Sequence, residues 1–256
     1  MFTKIWKKEI RGALYTWKSM LWLVIASLLF SFTSYLLLTN KELSLLDQTE
    51  LMWLLAKIII GVALLIIAID ASSTLNAEFE KETAESLFLA PVSLKDLILG
   101  KLAASLTLWA AIFVVSIPYI IAVSAGSNLA FPFLGYILLL GTLGVTGFTL
   151  LIFGISLLYR STKNTITTAF IILLAFATPA LFTSTLKNDV VSQIVSAINP
   201  VDNIFNSLDN VLVDYKTSLL QNWQFLLPLV VFCIVAFLFL LFSARRFKQQ
   251  GIIKND

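Results

Sequence analysis

Apolar residues run through this chain in long blocks separated by short polar segments. Six blocks approach the ~20 residues needed to cross the hydrocarbon of a bilayer. They lie at roughly 19–38, 51–72, 97–123, 133–158, 166–184 and 225–243. Pro118 interrupts the third block and Pro179 the fifth. A proline inside a helix frees a backbone carbonyl, so Pro179 predicts a bend. Gly141, Gly144 and Gly147 step by three along the fourth block. Small residues at helical spacing predict a close helix–helix contact there.

The polar segments keep a helical period of their own. In residues 1–18, Phe2, Ile5, Trp6, Ile10 and Leu14 recur at helical spacing, with Lys4, Lys7, Lys8 and Arg11 elsewhere on the wheel. That is the pattern of an interfacial helix; a basic tail that orients the first span is the plainer alternative. A signal peptide is not expected, because the apolar block that follows is too long and ends in no small-residue cleavage site. Between Thr185 and Trp223, Val190, Ile194 and Ile198, then Ile204, Leu208, Val211 and Leu212, flank Asn199-Pro200. Asp189, Asp202, Asp209 and Asp214 fall among them. Two short amphipathic helices that dip into or lie on the outer leaflet fit this pattern, as does a solvated helical loop packed on the spans.

The stretch Asn76–Leu102 departs most from the rest. Glu78, Glu80, Glu82 and Glu85 precede a break at Ala90-Pro91. On a helix, Glu78, Glu82 and Glu85 fall at i, i+4 and i+7 and share a face, opposite Leu75, Phe79 and Leu87. Such an acidic helix cannot cross the bilayer and must lie at its surface. A second helix should start after Pro91, with Ser93 as candidate cap and Asp96 in its first turn.

Composition narrows the chemistry. The 256 residues are 59% apolar and 13% charged, with a mean hydropathy of +0.92. This is a polytopic membrane protein of the all-α class, read as a single transmembrane domain over 1–256. Histidine is absent and Cys233 is the single cysteine, which excludes Ser-His and Cys-His catalysis, a disulfide framework and most zinc sites. No G-x-x-x-x-G-K-[ST] stretch occurs, so ATP, if it powers this chain, is bound elsewhere. No catalytic, cofactor or metal residue is assigned, and no nucleic-acid partner is expected.

Charge sets the expected orientation. With both termini in the cytoplasm, Lys4, Lys7, Lys8, Arg11, Lys18, Lys81, Lys95, Lys101, Arg160, Lys163, Arg245, Arg246, Lys248 and Lys254 lie inside. Only Lys41, Lys187 and Lys216 then lie outside, the bias the positive-inside rule requires. Lys57 and Asp70 fall within the second block. Intramembrane charges often mark pathways, yet Lys57 is close enough to the outer surface to snorkel and Asp70 could reach the inner interface.

The run E-x-E-x-E-T-x-E-x-L-x-x-x-P-V-S, from Glu78 to Ser93 with Gly100-Lys101 beyond it, resembles the signature of ABC-2 type transporter permeases. These are the membrane subunits of ABC exporters with the type V fold. The resemblance extends over the whole chain: a basic amphipathic first helix, six spans, an acidic helix between spans two and three, and a long outer segment. Where that family usually has Gly before the Thr, this chain has Glu82 before Thr83, which makes the helix more acidic and more helix-prone.

The resemblance implies that residues 76–92 form a cytoplasmic coupling helix seated on a separate ATPase. Glu78, Glu82, Thr83, Glu85, Leu87 and Pro91 would be its contact residues. It also implies two ATPase copies carrying ATP and Mg, and a second permease protomer, identical or homologous. The setting implied is a bacterial cytoplasmic membrane. Spans two and five would line the route, making Lys57, Phe170, Phe176, Thr178 and Phe182 candidate pathway residues; ordinary lipid and helix packing is the bland reading of the aromatic set. Peptides, lipids, drugs, polysaccharides and sodium all fit such a permease as cargo. Two readings from other classes stand beside transport. One is a lipid-modifying membrane protein, disfavoured by the lack of His. The other is a membrane scaffold that docks a cytoplasmic partner through the acidic helix.

Overall fold

The computed structural model describes residues 2–40, 46–80, 94–125, 130–181, 190–214 and 218–252, and every regular element among them is helical. In chain order these are α1 (Phe2–Tyr15), α2 (Trp17–Thr39), α3 (Gln48–Glu80), α4 (Leu94–Val123) and α5 (Ala130–Tyr159). Then follow α6 (Thr162–Leu181), α7 (Val190–Ile198), α8 (Pro200–Leu212) and α9 (Trp223–Ile252). Among the described residues, α2, α3, α4, α5 and α9 are long and apolar enough to cross a membrane. Helix α6 covers the fifth expected block. It opens on the polar run Thr162-Lys163-Asn164-Thr165, and 182–184 lie outside the described residues.

Helix α3 runs past the expected end of the second block. No Gly or Pro falls between Gly61 and Pro91, so nothing stops the helix at residue 72. Residues 76–80 therefore continue α3 without a break. Residues 81–93, with Glu82, Thr83, Glu85, Leu87, Pro91 and the candidate cap Ser93, lie outside the described residues. Asp96 does stand in the first turn of α4, and Pro118 lies within that helix.

Helices α3 and α5 form the interior. Met52, Leu55, Ile59, Ile60 and Ile67 of α3 and Phe148 and Phe153 of α5 are fully buried. Helices α2 and α9 flank them and turn apolar residues outward, among them Val24, Leu28 and Phe32 on α2. The glycines of α5 set its neighbours' distance. An added Cβ at Gly147 would come within 2.5 Å of Phe232 and one at Gly154 within 2.6 Å of Phe239, both on α9. At Gly144 it would meet Ile204 of α8 at 2.8 Å, and at Gly141 it would overlap the Trp109 ring of α4. Steps of three rotate the contact about 60° each time, so one glycine series serves three different helices.

Helix α8 is the main departure from a surface-lying segment. It inserts among α3, α5, α6 and α9, and on it only Asn206 and Asp209 keep partial exposure. It packs on the spans, but buried among them and not as a solvated loop. Its polar residues find partners inside. Asn210 Nδ2 donates to Asn222 Oδ1 at 3.1 Å, and Ser207 Oγ to the same atom at 3.4 Å. Asn203 Nδ2 donates to the carbonyls of Ala197 and Asn199. Asn199 caps the helix through Val201 N–H at 2.9 Å, with Pro200 in the first turn. Its Nδ2 also donates to Phe176 O at 2.7 Å, one residue past the carbonyl that Pro179 leaves without its helical donor. Helix α7, by contrast, leaves Ile194, Val195 and Ile198 exposed, as a helix lying in an interface does.

Candidate functional site

The last three turns of α3 carry two polar stripes. Asp70, Thr74 and Glu78 recur at i, i+4 and i+8; Ser72, Asn76 and Glu80 do the same two positions later. Two residues turn a helix by about 200°, so the stripes face opposite ways. Each one ties α3 to a different set of helices.

The first stripe meets α1, α2 and α4. Lys101 of α4 is 4% exposed; its Nζ lies 2.9 Å from Glu78 Oε1 and donates to Thr74 O at 3.0 Å. Glu9 of α1 brings a second carboxylate to the same ammonium at 3.6 Å. Lys18, in the first turn of α2, pairs with Asp70 at 2.8 Å and donates to Ser73 Oγ. Thr16 caps α2, accepting from Ser19 N–H. Between these groups opens a cleft of about 230 Å³, walled by Glu9, Thr16, Lys18, Asp70 and Lys101. A buried ammonium costs several kcal/mol to desolvate and is tolerated when opposite charge and a carbonyl surround it.

The second stripe meets the turn between α5 and α6. Asn76 is fully buried; its Nδ2 donates to Thr165 Oγ1 at 2.8 Å and lies within 3.4 Å of Ser156 Oγ and Ser161 O. Glu80 Oε1 accepts the Thr162 N–H at 2.7 Å. A carboxylate at that position satisfies one of the unpaired N–H groups that open α6 and complements its dipole. Arg160 closes α5 with φ 52, the left-handed region that a non-glycine residue occupies at a cost. Its guanidinium stacks 4.7 Å from the Phe247 ring centroid of α9.

Of the candidate contact residues, Glu78 belongs to this junction, on the body of α3; the rest fall in 81–93. The candidate pathway residues do not share one place. Lys57 Nζ sits 3.3 Å from the Trp53 ring centroid and 5.4 Å from that of Phe205, so it lies between α3 and α8. Trp53 Nε1 in turn donates to Phe205 O. Phe176 packs edge-on to Phe148 and Phe232 inside the protomer. Phe170 is 48% exposed, and Thr178 is exposed with its hydroxyl bonded to Leu174 O. Phe182 lies outside the described residues.

Sequence reasoning passed over Lys101 as a centre, although Gly100-Lys101 is in the motif. The available signal was a lysine within the apolar run Leu97–Leu102. Glu9 and Asn76 gave no comparable signal, because both partnerships depend on tertiary contact. Among the described residues, no three Asp, Glu or Cys side chains are grouped to hold a metal ion.

A direct comparison of the sequence with characterised proteins finds no match. The family model of the ABC-2 family transporter proteins matches residues 3–252, nearly the whole chain. With five apolar helices long enough to span a bilayer, the chain is a multi-pass membrane protein that belongs to this family, a membrane component of an ABC transporter.

Proposed function

We propose that this chain is the permease subunit of an ATP-driven exporter and forms half of a dimeric pathway. Both termini lie in the cytoplasm of a bacterial cell and two copies of a separate ATPase hydrolyse ATP. The observation that supports this reading best is the two-sided anchoring of α3 just before residues 81–93. A push on that segment reaches α4 and α1 through Glu78–Lys101–Glu9. It reaches α6 through Asn76–Thr165 and Glu80–Thr162. Helices α3 and α6, the second and fifth expected spans, are thus moved from one junction. Closure of the ATPases would press the 76–92 region, and α3 and α6 would reshape the dimer cavity from inward-open to outward-open.

Purification of the chain in mild detergent from its native host tests this. A P-loop ATPase in equal amount is the expected companion, and charge reversal at Glu82→Lys with Glu85→Lys should remove it, since each glutamate can make charge-assisted bonds to a partner Arg or Lys. A chain that purifies alone and stimulates no ATP hydrolysis would move the assignment to a scaffold or a lipid-modifying protein.

Lys57 carries a second prediction. As a pathway residue it would receive an anionic group of the cargo when Phe205 moves off it. Lys57→Ala should then slow export of anionic cargo about tenfold while Lys57→Arg retains it, a difference of about 1.4 kcal/mol in transition-state binding. Unchanged transport of every anionic substrate by Lys57→Ala would remove this residue from the pathway.

A further inference from the structure

The cleft between α1, α2, α3 and α4 carries charges of both signs that do not balance. Lys18 pairs with Asp70, one charge against one. Lys101 answers two carboxylates, Glu78 at 2.9 Å and Glu9 at 3.6 Å. The hydrogen bond goes to Glu78; at 3.6 Å Glu9 has only Coulomb attraction. The group therefore keeps one net negative charge, carried by Glu9. Lys18 donates to Asp70 and Ser73, which leaves its third N–H to give. Ser105 of α4 also lines the cleft; it is 3% exposed, and its hydroxyl makes no hydrogen bond among the described residues. The other cations of α1 and α4 lie off these walls. Glu9, Gly12, Ala13 and Thr16 form the face of α1 on the cleft. Lys7, Lys8 and Arg11 are exposed, about 90° or more round the helix from that face. Lys95 is exposed too, six residues before Lys101 and about 120° round α4 from it.

The cleft lies where α1 turns into α2, and that corner stands at the membrane surface. Tyr15 and Trp17, on either side of Thr16, are exposed aromatic residues of the kind found at headgroup level. From Trp17, the residues Leu21, Val24 and Leu28 follow at steps of four, three and four, all exposed. One stripe of α2 therefore faces lipid from the corner onward. Lys18 stands about 100° round the helix from Trp17, between that stripe and the cleft it lines. Glu9 and Lys18 also sit at neighbouring levels of α3. The ammonium beside Glu9, that of Lys101, donates to Thr74 O, while Lys18 holds Asp70, four residues earlier. Four residues are one turn, roughly 6 Å along the helix.

We infer that this cleft binds the headgroup of a phospholipid that ends in a primary ammonium, an ethanolamine phosphodiester. The ammonium lies against Glu9, where it supplies the missing positive charge, and Ser105 Oγ offers a further acceptor. The phosphate takes the third N–H of Lys18 as a charge-assisted bond. A two-carbon bridge between phosphate and ammonium suits partners about one helical turn apart. The acyl chains lie along the α2 stripe, which selects a lipid over the free headgroup. A choline headgroup has no N–H to give Glu9 and a glycerol headgroup has no cation, so both are poor ligands.

Thermal unfolding of the full-length chain in neutral detergent, titrated with lipid, tests the site. Phosphatidylethanolamine should raise the Tm by binding the folded chain. Phosphatidylcholine, phosphatidylglycerol and soluble glycerophosphoethanolamine at the same concentration should not. Glu9→Gln removes the charge that takes the ammonium and should weaken phosphatidylethanolamine binding about tenfold, the effect of one charge-assisted hydrogen bond. Gly12→Leu fills the cleft without touching a charge: an added Cβ there meets no atom within 4 Å, and leucine is the better helix former. Its Tm without lipid should hold or rise, while its response to phosphatidylethanolamine disappears. An equal response in wild type and Gly12→Leu would overturn the inference, as would equal responses to the ethanolamine and choline lipids. A response to glycerophosphoethanolamine matching that to lipid would also overturn it, assigning the cleft to a free zwitterion.

Discussion

Lys101→Met should lower the stability of the chain by about 3 kcal/mol, more than any single surface change. The substitution keeps the volume and the helix propensity. It leaves Glu78 and Glu9, with side chains 19% and 15% exposed, facing each other without the ammonium between them. Breaking a buried pair from one side costs more than the pair contributes, because the surviving charge stays desolvated. The estimate sits at the low end of that range because both carboxylates keep some water. Adding Glu78→Gln to Lys101→Met should recover a good part of the loss, and Glu9→Gln less, since Glu9 lies farther from Nζ at 3.6 Å. Thermal unfolding in detergent gives the comparison. A Lys101→Met chain as stable as wild type would show that the ammonium does not hold the junction.

The same variant reads on function. With the Lys101 link gone, α3 stays tied to α6 but not through this ammonium to α4 and α1. In the assembled transporter, ATP hydrolysis should persist while transport per ATP falls, and Lys101→Arg, which keeps the charge, should restore part of it. A uniform loss of hydrolysis and transport would instead indicate a folding defect.

Much of this organisation was readable along the chain. Apolar blocks long enough to span a bilayer predict helices wherever they occur, and α2, α4, α5 and α9 lie over theirs within a few residues at their starts. The Gly141, Gly144 and Gly147 spacing announced close contact, and each of these glycines sits against a neighbour's side chain. What periodicity cannot reveal is which partner a polar face meets. Helix α8 reads as an amphipathic surface helix because Asn203, Ser207 and Asn210 line one side. Asn222, from beyond the end of α8, accepts two of them and so draws the helix into the bundle. Glu78 and Glu80 read as parts of an acidic run, yet they face opposite ways and bind different helices. An acidic run looks solvated until the lysine and the helix N-terminus opposite it are known.

Gly141→Val should be the most damaging change within the spans. A Cβ at Gly141 would lie 2.2 Å from Cζ2 and 2.5 Å from Cη2 of Trp109, itself 2% exposed. The indole has little freedom to move aside. Its Nε1 donates to Thr142 Oγ1 at 3.1 Å, on the residue next to the glycine, and its ring packs 6.0 Å from Phe113. Swinging the ring away would strand a buried donor, at about 1–3 kcal/mol, so α4 and α5 must separate instead. Overpacking of this kind costs about 3 kcal/mol where the neighbour cannot yield. Gly135, on the same helix, meets no atom within 4 Å of an added Cβ. Gly135→Ala should therefore be neutral or slightly stabilising, and the pair of variants separates a steric effect from the helix preference for non-glycine residues. Helix α4 carries Lys101, and α5 leads into the turn that Asn76 and Glu80 grip. The Trp109–Gly141 contact braces these two helices, so prying it open should loosen both anchors of α3. Transport per ATP should then fall in Gly141→Val and stay unchanged in Gly135→Ala; an equal fall in both would mean that the α4–α5 contact plays no part in holding the junction.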